Sequence, residues 1–396
     1  MDARVFAIEA RTADWIAHHA WPFMRPWVRS HLTRRCRLCV LPETCVPLDA
    51  DGVCPVCHET RRAPKRAGAR DGNRVRQDLD RILTEAQGCV AGPHDALLLF
   101  SGGKDSTYML YRVLKDYPRL RVRTLLVDNG FMSPFALANV RRVLARFDVE
   151  HLTLQLRPSL VTKVFHFALT HLELQKGYSI VDLLDGQMSF DAARNFAAAQ
   201  GIPLILCGLS GVQVEQVYGP VGCEIPSELE RTAFHSMSGI DLRGFLSAEE
   251  LRCFWDGSSW PAQRVPRFVL PMAAWDLDEQ FVQREVGRLG LLDARHTSPL
   301  LTNHMLIPVI AMAEVARFGY SSFEVEFARM VREGRSVRTD WINLFEMLEY
   351  ATRTGRFVGR TATHTLARLN LTPADLGIGQ PRPGSWHVRP KDAGDA

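Results

Sequence analysis

The chain lacks an apolar run of the length a bilayer demands, about 20 consecutive residues, so no helical membrane span is expected. Its opening residues, MDARVFAIEARTADW, carry acids and have no continuous apolar core, so they do not read as a secretory leader. No internal repeat is found. Charge of one sign is also scarce: the net balance is +4, too weak by itself to point to nucleic acid. A disulfide framework is missing too. There are nine cysteines, an odd number, and four of them fall in paired CxxC spacing, which suits a reduced compartment and a metal site. The expected location is the cytoplasm.

What is present is an ordinary globular mix, 46% hydrophobic and 23% charged, over 396 residues. That length allows two domains or one large domain with attachments. Residues 1–35 are rich in aromatics and arginine, with Trp15, Trp21, Phe23 and Trp27. They read as a helical arm packed on the body, or as a segment lying on a membrane surface. Residues 36–58 form a compact cysteine module, and the basic stretch 59–75 reads as a linker. A helix with Leu79, Ile82 and Leu83 on one face follows.

From residue 76 to 239 the pattern predicts an α/β domain. Ala96–Phe100, Val122–Val127 and Ile202–Cys207 are short apolar runs, as in buried strands, a further strand is expected at about His151–Leu156, and helical stretches separate them. Such alternation predicts a parallel sheet with helices on both faces, and ligands then sit at the carboxyl ends of the strands. Residues 240–380 read as mostly helical, a substrate and oligomerisation region. The tail 381–396 reads as disordered.

The strongest local signal is Ser101-Gly102-Gly103-Lys104-Asp105-Ser106, between the first strand and a helix. Two glycines let the backbone approach a phosphate. The helix start aims free N–H groups and its positive dipole end at the same point. Ser101 and Ser106 add hydroxyls, and Lys104 adds a mobile charge. Asp105 would repel a phosphate, so it calls for Mg²⁺ between them or for a helix-capping role. The spacing is not that of a Walker A loop.

Cys36-x2-Cys39 and Cys54-x2-Cys57 stand as two tight turns, each placing two thiolates on one cation, the pattern of structural Zn²⁺. Cys45 and His58 are spare donors that leave the four ligands open. An iron–sulfur cluster or a redox pair are the other readings.

SGGKDS resembles the signature of the PP-loop ATP pyrophosphatases. The cysteine ribbon followed by this loop resembles, more narrowly, the N-acetyl sugar amidotransferases. His296–Pro299 through Asn303, Phe318–Tyr320 and Val331–Arg335 add to that likeness. The resemblance implies an adenine nucleotide α-hydrolase-like fold with an N-terminal zinc ribbon. It implies that ATP is bound by Ser101, Gly102, Gly103, Lys104, Asp105 and Ser106. The end of the second strand, Val127 and Asp128, would contact adenine or ribose. Gly208 and then an acid, Glu215, would stand near the metal and pyrophosphate; Glu215 can equally be an exposed helix acid. Catalysis would fall to Lys104, Asp105 and Glu215, and structural metal binding to Cys36, Cys39, Cys54 and Cys57.

The implied reaction adenylates a substrate oxygen, releases pyrophosphate and lets ammonia displace AMP. The acceptor would be a small molecule such as a nucleotide-linked N-acetyl sugar of surface-polysaccharide synthesis, with ammonia from a separate glutaminase subunit. The helical C-terminal region is assigned the acceptor pocket and a homodimer contact. Two departures concern the acceptor side: Gly208-Leu209-Ser210-Gly211 replaces the family's Gly-Glu-Asn-Pro, and Ser179–Phe190 carries no family signature. Two alternatives stay open. One is a sulfurtransferase acting on tRNA or a small molecule, with Cys207 as the sulfur carrier or merely a buried hydrophobe. The other is a zinc-ribbon protein that binds nucleotide without turning it over. No nucleic-acid motif is found.

Overall fold

The computed structural model describes residues 3–62, 72–232, 234, 237, 239–292 and 304–380. The His296–Asn303 stretch, most of the basic linker and the tail lie outside them. The chain divides into two compact units. One is contiguous, Ala67–Met305; the other combines Met1–Arg66 with Leu306–Ala396.

The contiguous unit is built on a five-stranded parallel sheet in the order β3-β2-β1-β4-β5. The strands are β1 (Ala96–Leu99), β2 (Val122–Asp128), β3 (Glu150–Gln155), β4 (Leu204–Leu206) and β5 (Arg267–Val269). Helices cover both faces. Period-two alternation along β1 sends Ala96, Leu98 and Phe100 to one apolar cluster, with the helices Gly72–Ala86 and Lys104–Asp116. Leu97 goes to the opposite cluster, with the helix Ile180–Gln200. A strand buried on both sides needs a continuous apolar run, which is why Ala-Leu-Leu-Leu reads as one. β3 is an edge strand, and none of its residues is fully buried: Glu150, Thr153 and Gln155 are exposed, and the others are half-buried.

One element departs from the sequence reading. Residues 267–269, in a region that reads as mostly helical, form β5, which pairs with β4 through Leu206 and Val269. The four residues between Pro266 and Pro271 are too few to show a period. Their burial gives them away: Phe268 and Val269 are fully covered. The stretch before β5 holds short turns of 3-10 helix and the short α-helix Ala248–Leu251, not long helices.

The other unit packs the N-terminal helices and the cysteine module with four helices, Ile307–Phe318, Ser322–Arg332, Arg338–Thr354 and Arg360–Arg368. A buried charge network ties early to late residues. Arg35 is paired with Glu324, and it donates to Glu349 at 2.8 Å. Glu349 also accepts from the Thr33 backbone N–H at 3.0 Å and pairs with Arg353 at 2.7 Å. A guanidinium removed from water survives only when its donors meet acceptors in this way.

Candidate functional site

The reversal of strand order falls between β1 and β4, so the loops leaving these two strands flank the crevice where open α/β sheets take ligands. The loop leaving β1 is Phe100–Gly103, and the helix Lys104–Asp116 starts directly after it. Gly102 has φ +76°, and a Cβ there would lie 2.3 Å from the Ala136 carbonyl oxygen. No other residue fits that position without moving backbone. The Gly102 carbonyl accepts a hydrogen bond from Asn139 Nδ2 at 3.1 Å, so the loop is fastened to the neighbouring helix Pro134–Leu144. Within the loop, Ser101 Oγ lies 3.2 Å from Ser106 Oγ, and Ser106 Oγ donates to the Gly103 carbonyl at 3.2 Å. At Gly208, which follows β4, a Cβ would lie 3.4 Å from the Ser106 backbone nitrogen. Gly208 and the loop are therefore adjacent.

Lys104 is largely buried, and its ammonium is bracketed by two carboxylates, Asp105 at 2.7 Å and Glu279 at 3.3 Å. Burial alone would favour the neutral amine, but Asp105 and Glu279 outweigh it and raise the Lys104 pKa above its ordinary value. Asp105 stands in the first helical turn, yet no side chain caps that terminus, so the capping role foreseen for Asp105 is not found. Glu279 opens the helix Glu279–Arg288, which packs along the helix Lys104–Asp116.

The remaining sequence candidates belong to β2 and to the helix that follows β4. Val127 is buried in β2, and Asp128 ends that strand with Oδ1 accepting from the Gly130 N–H at 2.7 Å. Glu215 is half-buried in the helix Gly211–Tyr218, which follows Gly208 and is closed by a Ser210–Gln213 capping box.

A buried polar cluster next to β2 went unread. Asn129 Nδ2 donates to Asp185 Oδ1 at 2.8 Å. His304 Nε2 lies 3.4 Å from Asp182 and 3.8 Å from Asp185. Burial would lower the His304 pKa, but the two carboxylates outweigh it and raise it; burial raises that of Asp185. Asp182 and Asp185 lie in Ser179–Phe190, where no motif announces them. The pair faces one side of a helix only because of its i,i+3 spacing.

In the other unit the sulfurs of Cys36, Cys39, Cys54 and Cys57 all lie within 4.8 Å of one another, buried and placed to hold a metal ion. The Cys36–Cys57 and Cys39–Cys54 sulfurs are each 3.8 Å apart. Backbone N–H groups of Leu38 and Cys54 point at Cys36 Sγ, at 3.5 and 3.4 Å. Thiol hydrogen bonds from Cys39 and Cys57 favour the Cys36 thiolate, and the contact with Cys36, helped by burial, pushes Cys39 up to about 11. The spare donors stay out of the group. His58 Nε2 lies 2.6 Å from Asp49, and burial pushes the Cys45 thiol up to about 12. Arg338 supplies a charge next to the thiols and donates to the Cys36 and Cys39 carbonyls at 2.8 and 2.6 Å.

No family model matches the chain, and no curated protein does. Among solved structures it is similar to the ammonia-dependent NAD synthetase from Campylobacter jejuni (11% identity over 67% of this chain and 95% of that one, TM-score 0.33). It is similar to the NMN synthetase from Francisella tularensis (10%, 72% and 96%, TM-score 0.34). A third likeness is to the U34-tRNA thiolase from Methanococcus maripaludis with its 4Fe-4S cluster (14%, 77% and 87%, TM-score 0.30). At such identities and scores these are likenesses only, and the chemistry has to come from the residues themselves.

Proposed function

We propose that this protein is an ATP pyrophosphatase of the PP-loop kind, which adenylates a substrate oxygen and lets ammonia displace AMP. The observation that carries the reading is the loop Ser101–Ser106. It has a glycine that only positive φ and a missing Cβ can satisfy, a helix N-terminus behind it, and a buried lysine at its edge. That combination is a cradle for a diphosphate.

In the proposed reaction the loop N–H groups and the hydroxyls of Ser101 and Ser106 hold the β- and γ-phosphates. A carboxylate or carbonyl oxygen of the acceptor attacks the α-phosphorus. The new P–O bond forms as the bond to the β-phosphate oxygen breaks, and pyrophosphate leaves. Lys104 stabilises the charge that gathers on the leaving group. Ammonia then adds to the activated carbon, AMP departs with the former acceptor oxygen, and one proton is released. Mg²⁺ would be held by Asp105 and Glu215, and it would supply neutralisation of the leaving pyrophosphate. Val127, Asp128 and Gly208 are assigned to the nucleotide's other contacts.

For the cysteine group we propose Zn²⁺. Four sulfurs at about 2.3 Å from one zinc form a tetrahedron with edges of about 3.8 Å, which is the separation of the two opposed pairs. An iron–sulfur cluster would need irons and sulfides between the thiolates and would push them farther apart. With four thiolates the ion has no open position, so its role is structural.

The acceptor class follows from the resemblance of the ribbon-plus-loop order: an N-acetyl sugar or related small molecule, with ammonia from a separate glutaminase, in the cytoplasm, as a homodimer. The sulfur-transfer reading finds less support. Cys207 is buried in an apolar cluster, and burial pushes its thiol up to about 12, so it lacks the thiolate that persulfide chemistry needs.

The test is the fate of ATP. Incubation with Mg-ATP, ammonium and a panel of N-acetyl sugar nucleotides and carboxylates should yield AMP and pyrophosphate, stimulated by the true acceptor. ADP as the product would overturn the assignment, and AMP dependent on sulfide would move it to thiolation.

A further inference from the structure

The first helix carries a feature that nucleotide chemistry does not use. Residues 3–28 run as one rod, α-helical over Ala3–Trp15, a π turn over Ile16–Ala20, and α-helical again over Trp21–Val28. Its inner side is anchored. Phe6, Ala17 and Trp21 are buried, and Trp21 Nε1 donates to Glu346 at 2.9 Å. The Glu9 carboxylate accepts the Arg360 and Thr361 N–H groups at 2.7 and 2.8 Å, capping the helix Arg360–Arg368.

The outer side is apolar where it should be polar. Ile8, Trp15, Phe23 and Trp27 are 66, 58, 79 and 88% exposed, half of the large exposed hydrophobics among the described residues. They lie in line for a geometric reason. Trp15, His19, Phe23 and Trp27 are four apart, and each step of four overshoots an α-helical turn by about 40°. A π turn takes in one residue more than an α turn and absorbs that drift. The π turn thus keeps Phe23 and Trp27 below Trp15, whose ring lies 5.7 Å from that of His19. Exposed Arg4, Arg11, His18 and Arg29 accompany this stripe. The exposed acid of the rod is Asp14, at 3.5 Å from His18, while Glu9 is turned inward.

We propose that this stripe is a docking surface for an anionic lipid bilayer, with the rod lying in the plane of the interface. Tryptophan and phenylalanine would enter the headgroup boundary, and the arginines would meet lipid phosphates. The charge decides between occupants: a basic, aromatic ridge complements a negative surface. No helix among the described residues is long and apolar enough to cross a membrane, so the attachment is peripheral. The protein would then work where lipid-linked acceptors or membrane partners are concentrated.

The full-length chain should co-sediment with vesicles of phosphatidylcholine mixed with phosphatidylglycerol, and little with phosphatidylcholine alone. Tryptophan emission should shift to the blue, and added salt should weaken binding. The triple variant Trp15→Ser, Phe23→Ser, Trp27→Ser should lose at least about tenfold in vesicle affinity with an unchanged melting temperature, since these side chains are mostly exposed. Arg4→Gln with Arg11→Gln and Arg29→Gln should weaken binding to the anionic vesicles alone. Wild-type protein that ignores anionic vesicles overturns the proposal, as does a triple variant that binds them like wild type. A wild-type oligomer that the triple variant dissolves, without vesicle binding, overturns it in favour of a second copy on this face.

Discussion

The ammonium of Lys104 lies 3.3 Å from Glu279, a carboxylate from the far end of the same unit, while its sequence neighbour Asp105 holds it from the other side at 2.7 Å. A phosphate arriving at the loop must compete for that lysine. Replacing Glu279 by Gln removes one competitor and should tighten ATP binding in magnesium-free buffer by about fivefold, or about 1 kcal/mol. Titration calorimetry with and without Mg²⁺ reads this directly. Binding that weakens only when Mg²⁺ is present would instead put Glu279 on the cation.

Lys104→Ala should leave the fold intact and lower turnover on the order of a hundredfold, the scale of one lost charge stabiliser in a transition state. The readout is pyrophosphate release with acceptor present. Unchanged turnover would remove the loop from the chemistry.

The two loop glycines should respond differently. At Gly102 a methyl group would meet the Ala136 carbonyl oxygen at 2.3 Å, with φ at +76°. Gly102→Ala should destabilise the unit by at least about 2 kcal/mol and abolish nucleotide binding. At Gly103 the nearest contact of such a methyl is Ser101 Oγ at 3.4 Å, with no positive φ, so Gly103→Ala should fold normally. Thermal unfolding with and without ATP separates the two.

Metal analysis should find one zinc and no iron per chain. Stripping it with a strong chelator should lower the melting temperature sharply, because structural zinc sites carry about 10–16 kcal/mol of apparent binding energy at neutral pH. Cys36→Ser should do the same, and Cys45→Ser should not.

Asp95 ties the start of β1 to the start of β2. Its carboxylate takes the Gly88 N–H at 3.1 Å and the Arg121 N–H at 3.0 Å, and it pairs with the Arg121 guanidinium at 2.6 Å. Burial works against the charged form, but the bonds from Arg121 outweigh it and hold the carboxyl below its usual range. The folded pKa is therefore below the unfolded value of about 4. The stability this supplies is complete above about pH 4 and is lost as pH falls through the folded pKa. Asp95→Asn should cost about 2 kcal/mol at pH 7, discounted because Arg121 is partly exposed. In urea melts the gap from wild type should narrow at pH 3.

Much of this was legible in the chain. β1 and β4 are buried on both faces, so their apolar runs are unbroken, β2 keeps an apolar stretch at Leu125–Val127, and the loop residues are contiguous, so they form a motif. The cysteines are paired in sequence and stay paired in space. The unread residues share one trait: their meaning lies in a contact with a distant element. Glu279 is one acid in an amphipathic helix until it is seen next to Lys104. Arg338 is a helix-start arginine until its guanidinium reaches the Cys36 and Cys39 carbonyls. β5 is too short to carry a period and is recognisable only by the strand it pairs with.

The interleaving of the two units sets an order of synthesis. The ribosome delivers residues 67–305 as one uninterrupted stretch, so the sheet and its loop can close while the chain is still growing. The cysteine turns are made before that stretch, yet Arg35 next to them has no acids to meet until Glu324 and Glu349 are made. Arg338, which steadies the thiol-bearing turns, also arrives late. The unit begun before the sheet is thus completed after it, and the four thiols gain the support of Arg338 only once the helix Arg338–Thr354 has been made.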